Sequence, residues 1–165
     1  MPIEKDENPG QTATDRVSDK LALGWREWVA LPDFDISRIK AKVDTGARTS
    51  CLHTFRTEPY TRDGQRRVRF WVHPVQNDLH RVIECDAAIL DERNVSDSGG
   101  HQELRLVIAT RLVVGVEEWP IEMTLTNRDS MRFRMLLGRT AMAGRAFVVP
   151  ECSYLVGEPA LRTKT

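Results

Sequence analysis

Asp44, followed by Thr45 and Gly46, is the residue with the clearest potential for chemistry in this 165-residue chain. Apolar and polar side chains alternate before it at 39–43, and this period of two predicts a half-buried β-strand that ends at the aspartate. Gly46 permits another chain to approach the turn closely. Two such carboxylates that face each other across a twofold axis cannot both ionise. They share a proton, and the pair can then activate a water molecule.

The tripeptide alone also fits an ordinary β-turn with a solvated aspartate. Two later segments favour the chemical interpretation. The apolar Leu136-Leu137-Gly138 precedes a short predicted helix at 139–144, and the glycine-rich Ser98-Gly99-Gly100 precedes a predicted strand at 104–114. In chain order, the Asp-Thr-Gly turn, the glycine-rich segment and the apolar segment resemble the catalytic loop, the flap and the supporting segment of the retropepsins. Retropepsins are single-domain dimeric aspartic proteases.

A narrower resemblance extends over residues 23–155. Its motifs are GWREW at 24–28, KAKVDTGARTS at 40–50, WPIE at 119–122, TLTNR at 124–128 and LGR at 137–139. They are similar to a bacterial family known as ATP-dependent zinc proteases. Members of that family include the RimB-like proteins that accompany RimK-type glutamate ligases.

The resemblance implies a mainly β fold, a small closed acid-protease barrel with one short C-terminal helix. Many short strands separated by turn residues favour the same architecture. The expected boundaries are a disordered tail at 1–20, a protease domain at 21–157 and a C-terminal tail at 158–165. Strands are expected at 21–31, 50–54, 66–73, 81–90, 104–114, 119–126, 131–137, 147–149 and 153–156, and Val68, Phe70 and Val72 share one face of the strand at 66–73. A loop and turn is expected at 57–64, where Asp63-Gly64 predicts a hairpin.

The resemblance also implies a homodimer in which each subunit supplies Asp44, one carboxylate ionised as general base and the other protonated. Thr45 would link the two loops, Gly46 would leave room for an extended peptide, and Leu136-Leu137-Gly138 would pack beneath the loop. Ala47 and the flap residues Ser98, Gly99 and Gly100 would contact the substrate. The flap is expected at 91–103, and the hairpin at 57–90 is the alternative.

Two arginines carry information about the substrate. Retroviral relatives usually have an acidic residue after Asp-Thr-Gly-Ala, which pairs with the arginine after the apolar-apolar-glycine motif. This chain has Arg48 and Arg139 at those positions. Because neighbouring like charges are costly unless an anion joins them, we expect both to bind glutamate carboxylates of a peptide or protein substrate. Neutralisation of Arg48 by a local acid, at Asp33, Asp35 or Glu151, is the alternative.

The sequence gives zinc no support beyond the family name, and no cofactor is expected. The four histidines, His53, His73, His80 and His101, lie on separate segments without a zinc-binding spacing. A Walker motif is absent from the sequence, so any ATP dependence would belong to a partner ligase. Two other functions stay open: a metal-dependent hydrolase that uses His53, and a non-catalytic module that regulates a RimK-type ligase.

Composition excludes some partners. Lys plus Arg equals Asp plus Glu at 24 each, which gives no global preference for nucleic acid or membranes. The sequence contains no apolar run long enough for a membrane helix and no secretory h-region near Met1. Its three cysteines, Cys51, Cys85 and Cys152, form no CxxC motif, which favours a reducing cytoplasm.

Overall fold

Strand pairing brings the two halves of the chain together around the end of the strand that precedes Asp44. The computed structural model describes residue 17 and residues 19–96, 99–127 and 132–161. The predicted N-terminal tail therefore lies almost entirely outside the described residues. In order, the elements are β1 (Leu21–Leu23), β2 (Arg26–Leu31), a 3-10 turn (Pro32–Phe34), β3 (Ile36–Val43), β4 (Ser50–His53), β5 (Arg56–Arg62), β6 (Gln65–Val72), β7 (Ile83–Ala88), β8 (Asp91–Ser96), β9 (Gln102–Val114), β10 (Glu117–Thr126), β11 (Met135–Leu137), α1 (Arg139–Met142) and β12 (Ala146–Val148).

The described chain is mainly β with a single-turn helix near its C-terminus, as predicted. Six strands pair in the order β10, β4, β11, β3, β2 and β9, and β9 pairs again with β10. Strand β8 extends this sheet from β9 as an antiparallel hairpin. The interior is filled by aliphatic side chains, among them Ile39, Leu52, Ile108, Met123 and Leu137, each with no exposed surface.

A three-stranded sheet, β5-β6-β7, covers part of this core. Asp63 and Gly64 both have positive φ, 52° and 77°, and they join β5 to β6, which confirms the predicted hairpin turn. The expectation of a loop at 57–64 was wrong, because residues 56–62 form β5. Pro59 lacks an N–H donor, but β5 is an edge strand and tolerates proline.

The N-terminal strand expected at 21–31 is divided in two at Gly24. A Cβ at this position would lie 2.3 Å from the Cys152 carbonyl oxygen, so the two backbones can approach closely only at glycine. Strand β1 pairs with β12 of the same chain. The described residues in the expected strand at 153–156 form no strand.

Residues 153–156 are held by a carboxylate instead. Glu27 is fully buried, and it accepts hydrogen bonds from the backbone N–H groups of Gly24, Leu155 and Val156 at 2.7, 2.9 and 3.2 Å. Three donors compensate for removing the charge from water. Sequence alternation gave no sign of this carboxylate, because two of its partners lie more than 120 residues away.

Candidate active site

Asp44 lies half-buried at the edge of a cleft of about 640 Å³. The Asp44 loop (residues 44–49) contributes residues 44 and 46–49, β4 contributes Cys51 and His53, and β8 contributes residues 93–96. Arg105, Thr124 and Leu136 complete the described lining. The cleft therefore lies between the Asp-Thr-Gly turn and the β8–β9 hairpin.

The turn itself orients the Asp44 carboxylate. Oδ1 accepts hydrogen bonds from the backbone N–H groups of Gly46 at 3.0 Å and Ala47 at 3.3 Å. The Asp44 N–H donates to the Leu137 carbonyl at 2.9 Å, which continues the parallel pairing of β3 with β11. Both the backbone and the side chain of the aspartate are thus positioned by main-chain groups.

Gly138 connects the segment at 136–138 to the Asp44 loop. Its N–H donates to the buried Ser50 hydroxyl at 2.9 Å. A Cβ on Gly138 would lie 2.5 Å from the Thr49 carbonyl carbon, a distance that real side chains do not adopt. Two further backbone bonds, from the N–H groups of residues 139 and 140 to the carbonyls of residues 47 and 48, run beside it at 2.8 and 2.9 Å. Of the predicted supporting residues, Leu137 is fully buried and Leu136 lines the cleft.

Thr45 and Arg139 lie on the exposed side of the turn. The Arg139 guanidinium donates to the Thr45 carbonyl at 2.9 Å. Arg139 does not line the Asp44 cleft among the described residues, whereas Arg48 does. The structure therefore places the two predicted arginines on adjacent backbone segments but gives them different surroundings.

Two arginines of the hairpin, Arg93 and Arg105, also line the cleft, and sequence reasoning missed them. They lie directly opposite each other on β8 and β9, so their side chains share one face. Hydrogen bonds to Glu122 and Asp91, at 3.0 and 3.2 Å, raise the pKa of Arg93 above its ordinary value. Arg105 pairs with a carboxylate at 3.1 Å. The period of two along β8 and β9 was the signal that could have found this pair.

Arg48 differs from these two, because no ion pair among the described residues includes it. The three acids considered as its partners do not form one. Burial disfavours the Asp33 carboxylate, but hydrogen bonds from the Arg111 backbone and guanidinium outweigh that effect and hold the pKa of Asp33 below its usual value. Asp33 is therefore committed to Arg111, at 2.8 Å.

The β8–β9 hairpin is the flap candidate that reaches the cleft. Four β8 residues line it, and none of the described residues of β5 to β7 does. Gly99 and Gly100 lie exposed at the hairpin tip, where Gly100 has a φ of 81°, and they are not part of the lining. Ser98 falls outside the described residues.

The described His, Cys, Asp and Glu side chains do not form a set of ligands for a resident zinc ion. His53 lines the cleft and is only 2% exposed. Within residues 19–96, 99–127 and 132–161, however, no three His, Cys, Asp or Glu side chains converge in a way that would hold a metal.

The family model described as RimB-like, retropepsin-like aspartic endopeptidase RimB, matches residues 22–159. The chain belongs to the RimB-like family. Relatives from Parasynechococcus marenigrum (strain WH8102) and Shewanella pealeana (strain ATCC 700345 / ANG-SQ1) are 50% identical over 139 residues and 44% identical over 140. Both are named probable alpha-L-glutamate ligase. These matches include 84% and 85% of this RimB-like chain but only 30% and 31% of the relatives' length.

A solved structure shares the fold of this RimB-like chain. It is the crystal structure of Lpg0085, a protein of unknown function from Legionella pneumophila subsp. pneumophila str. Philadelphia 1. The TM-score is 0.70, with 23% sequence identity over 82% of this chain and 98% of that one. This similarity concerns the fold alone. In the described part of the chain, no helix has the length and apolar character needed to cross a membrane.

Proposed function

We propose that this chain is an aspartic-type peptidase that acts as a homodimer, with Asp44 of each subunit at the shared catalytic centre. The ionised carboxylate of one subunit takes a proton from water as the water attacks the scissile carbonyl carbon. The protonated carboxylate of the other donates a hydrogen bond to the carbonyl oxygen, where negative charge develops. Each chain supplies one Asp-Thr-Gly, so the pair requires two chains.

The observation that carries this proposal is the position of Asp44. Its carboxylate is held by two backbone N–H groups, at 3.0 and 3.3 Å, on the edge of a cleft of about 640 Å³. Rigid main-chain support is what an acid-base pair requires, because small displacements of a catalytic group reduce the rate strongly. The ring of six paired strands supports our proposal that the sheet is a small retropepsin-like barrel.

The charges of the cleft support a glutamate-rich substrate. Arg48, Arg93 and Arg105 line the cleft, and two of these already have carboxylate partners within the chain. Arg48 is exposed and keeps its guanidinium available for a substrate carboxylate. Relatives of the chain carry the name glutamate ligase, and the product of such an enzyme would present glutamate carboxylates to this cleft.

Hydrolysis tests this proposal with a matched pair of variants. Wild type should cleave oligoglutamate and glutamate-ligated protein, whereas Asp44→Asn should lose activity by at least about a thousandfold because the pair can no longer act as both acid and base. Asp63→Asn is the control, because Asp63 lies exposed at the β5–β6 turn and tolerates asparagine at its positive φ. Equal activity of Asp44→Asn and wild type would refute the catalytic role.

The dimer and the preference for acidic peptides have separate tests. Sedimentation should show a dimer under assay conditions, and an active, strictly monomeric chain would exclude the two-aspartate mechanism. Arg48→Ala should reduce kcat/KM for oligoglutamate by about tenfold and leave a neutral peptide almost unaffected, because one charge-assisted contact is removed. An unchanged preference would exclude Arg48 as the glutamate-binding residue.

A second candidate function follows from the names of the relatives. The chain matches about a third of proteins named glutamate ligases. A retropepsin-like module that regulates a RimK-type glutamate ligase, without hydrolysis of its own, is consistent with that arrangement. If the chain is such a module, wild type and Asp44→Asn should change the length of the glutamate tails made by a ligase to the same extent. A peptidase would lose this effect in Asp44→Asn.

A further inference from the structure

A second cleft, of about 470 Å³, lies on the outer face of β2 and β3, and shares no described lining residue with the Asp44 cleft. Strand register explains its composition. Arg26 is opposite Lys42 and Trp28 is opposite Lys40, so these four side chains project from the same face. Arg38, two residues before Lys40, continues that face. The residues that alternate with them, Glu27, Val29, Ile39 and Ala41, are buried and lie on the other face.

Trp28 is held by cations and by a second aromatic ring. The Arg38 guanidinium lies 3.6 Å from the ring centroid, and Tyr154 stacks on the indole at 5.5 Å with an interplanar angle of 13°. Tyr154 adopts a φ of 55°, which is an uncommon conformation for a bulky residue. Its N–H donates to the Arg26 carbonyl at 2.9 Å, which fixes the ring against this face.

The charge of the cleft is unbalanced. Arg38, Lys40 and Arg81 line it, and no described carboxylate does. Lys40 is bound by an amide oxygen of Gln76 at 2.7 Å. Arg38 has an ion pair with Glu158 at 3.0 Å, but both side chains are largely exposed, and such a pair exchanges readily for another anion. The chain has no net charge, so this local excess marks the face as complementary to an acidic partner.

The loop opposite the cationic strands adds an apolar edge. Val75, which lines the cleft, is 40% exposed, and nearby Leu79 and Val82 are 62% and 47% exposed. A ligand that matches both features carries carboxylates and apolar side chains, as an acidic polypeptide does. Single-stranded RNA matches less well, because base stacking needs an open aromatic face and Trp28 is already covered by Arg38 and Tyr154.

We propose that this cleft is a docking site for an acidic polypeptide segment of a partner protein that contains interspersed apolar residues. Carboxylates of the segment bind Arg38, Lys40 and Arg81, and its apolar side chains pack on Val75 and its neighbours. The proposal does not depend on peptidase activity, because no residue of the Asp44 loop takes part.

The test measures binding of a fluorescein-labelled peptide of alternating glutamate and leucine by fluorescence anisotropy. All proteins carry Asp44→Asn, so that cleavage of the probe cannot be mistaken for release. The peptide should bind with an affinity that falls as salt rises, and Arg38→Glu and Arg81→Glu should each weaken it by about tenfold or more. Arg62→Glu is the matched control, because it reverses an exposed charge on the β5–β6 hairpin.

Four outcomes would overturn the proposal, three with these proteins and one with a further variant. The first is that the peptide does not bind. The second is that Arg38→Glu and Arg81→Glu bind the peptide with the same affinity as the control, Arg62→Glu. The third is tighter binding of a single-stranded RNA oligonucleotide than of the peptide. A further variant, Arg48→Ala, identifies binding in the Asp44 cleft. If Arg48→Ala lowers the affinity for the peptide more than Arg81→Glu does, the peptide occupies the Asp44 cleft and the proposed docking site is refuted.

Discussion

Substitution of Ser50 by alanine tests how the Asp44 loop is held. Ser50 begins β4, is fully buried, and accepts the N–H of Gly138 through its hydroxyl at 2.9 Å. The neighbouring carbonyl, of Leu137, accepts the Asp44 N–H. Removal of one oxygen atom therefore breaks the contact beside the residue that positions the aspartate, and it introduces no steric conflict.

The magnitude follows from the donor that is left behind. A buried N–H without an acceptor costs about 1–3 kcal/mol, because water that bound it in the unfolded chain is not replaced. We therefore expect Ser50→Ala to lower the free energy of unfolding by about 2 kcal/mol. With a urea slope of about 1–3 kcal/mol per molar for a chain of this size, the unfolding midpoint should fall by about 1 M.

Tryptophan fluorescence in urea measures this change, and Thr54→Val provides the control. Thr54 is also fully buried, and its hydroxyl donates to the Thr126 carbonyl at 3.0 Å. That carbonyl also accepts the Thr54 N–H at 2.8 Å, so the valine variant leaves no backbone group without a partner and should lose less than about 1 kcal/mol. If Ser50→Ala is destabilised no more than Thr54→Val, the hydroxyl does not fasten the loop. If it is destabilised but retains full kcat, the contact does not position Asp44.

Three further perturbations probe the rest of the chain. Gly138→Ala should be more damaging than Ser50→Ala in the same urea experiment, because its methyl group would lie 2.5 Å from the Thr49 backbone; equal stability to wild type would contradict the close approach. Burial, followed by two nearby carboxylates, raises the pKa of Cys85 to about 12, so iodoacetamide at neutral pH should label the half-buried Cys152 well before Cys85, and faster reaction at Cys85 would contradict this. The lowered pKa of Asp33 means that its contribution to stability is present above its unfolded-state pKa and is lost as pH falls through the folded value; the stability difference between wild type and Asp33→Asn should therefore shrink below about pH 4, and a difference independent of pH would refute it.

Local patterns were sufficient for the elements that alternate regularly. The period of two at 39–43 predicted the strand that ends at Asp44, and the same alternation placed Val68, Phe70 and Val72 on one face of β6, which the structure shows to be buried. The Asp63-Gly64 dipeptide predicted its hairpin because both positions require positive φ. In each case the decisive interaction lies within a few residues of the pattern.

Other features depended on contacts that no local window contains. The break at Gly24 arises from Cys152, and the course of residues 153–156 arises from Glu27. A glutamate beside two tryptophans looks like a solvent-facing strand residue, so its burial could be found only once its distant N–H donors were known. Strand β5 was missed for a different reason, because Pro59 and several charged residues resemble a loop unless the strand is at a sheet edge.

The candidate site divides along the same line. The sequence named Asp44, Ala47, Arg48 and the glycine that fastens the loop, because these lie in two short motifs. It did not name Arg93 or Arg105, since their approach to Asp44 depends on the hairpin folding over the cleft. Sequence reasoning assigned that role to the glycines at the hairpin tip, whereas the described lining comes from residues 93–96 of β8 itself.

Charge pairing gives the strongest guide to where this chain meets other molecules. Acidic and basic residues are equal in number, and on β6 and β8–β9 the arginines find carboxylates across the strands, as Arg67 does with Asp86 and Arg93 with Glu122. An arginine that already has a carboxylate partner offers an approaching anion less than an arginine without one, because the anion must first displace that partner. Arg48 and Arg81 have no ion pair among the described residues, and each lines a different cleft. An acidic chain therefore gains most at these two positions, Arg48 beside the proposed catalytic carboxylate and Arg81 in the proposed docking cleft. Substitutions of Arg48 should alter kcat/KM, whereas substitutions of Arg81 should alter the affinity for the docked segment alone.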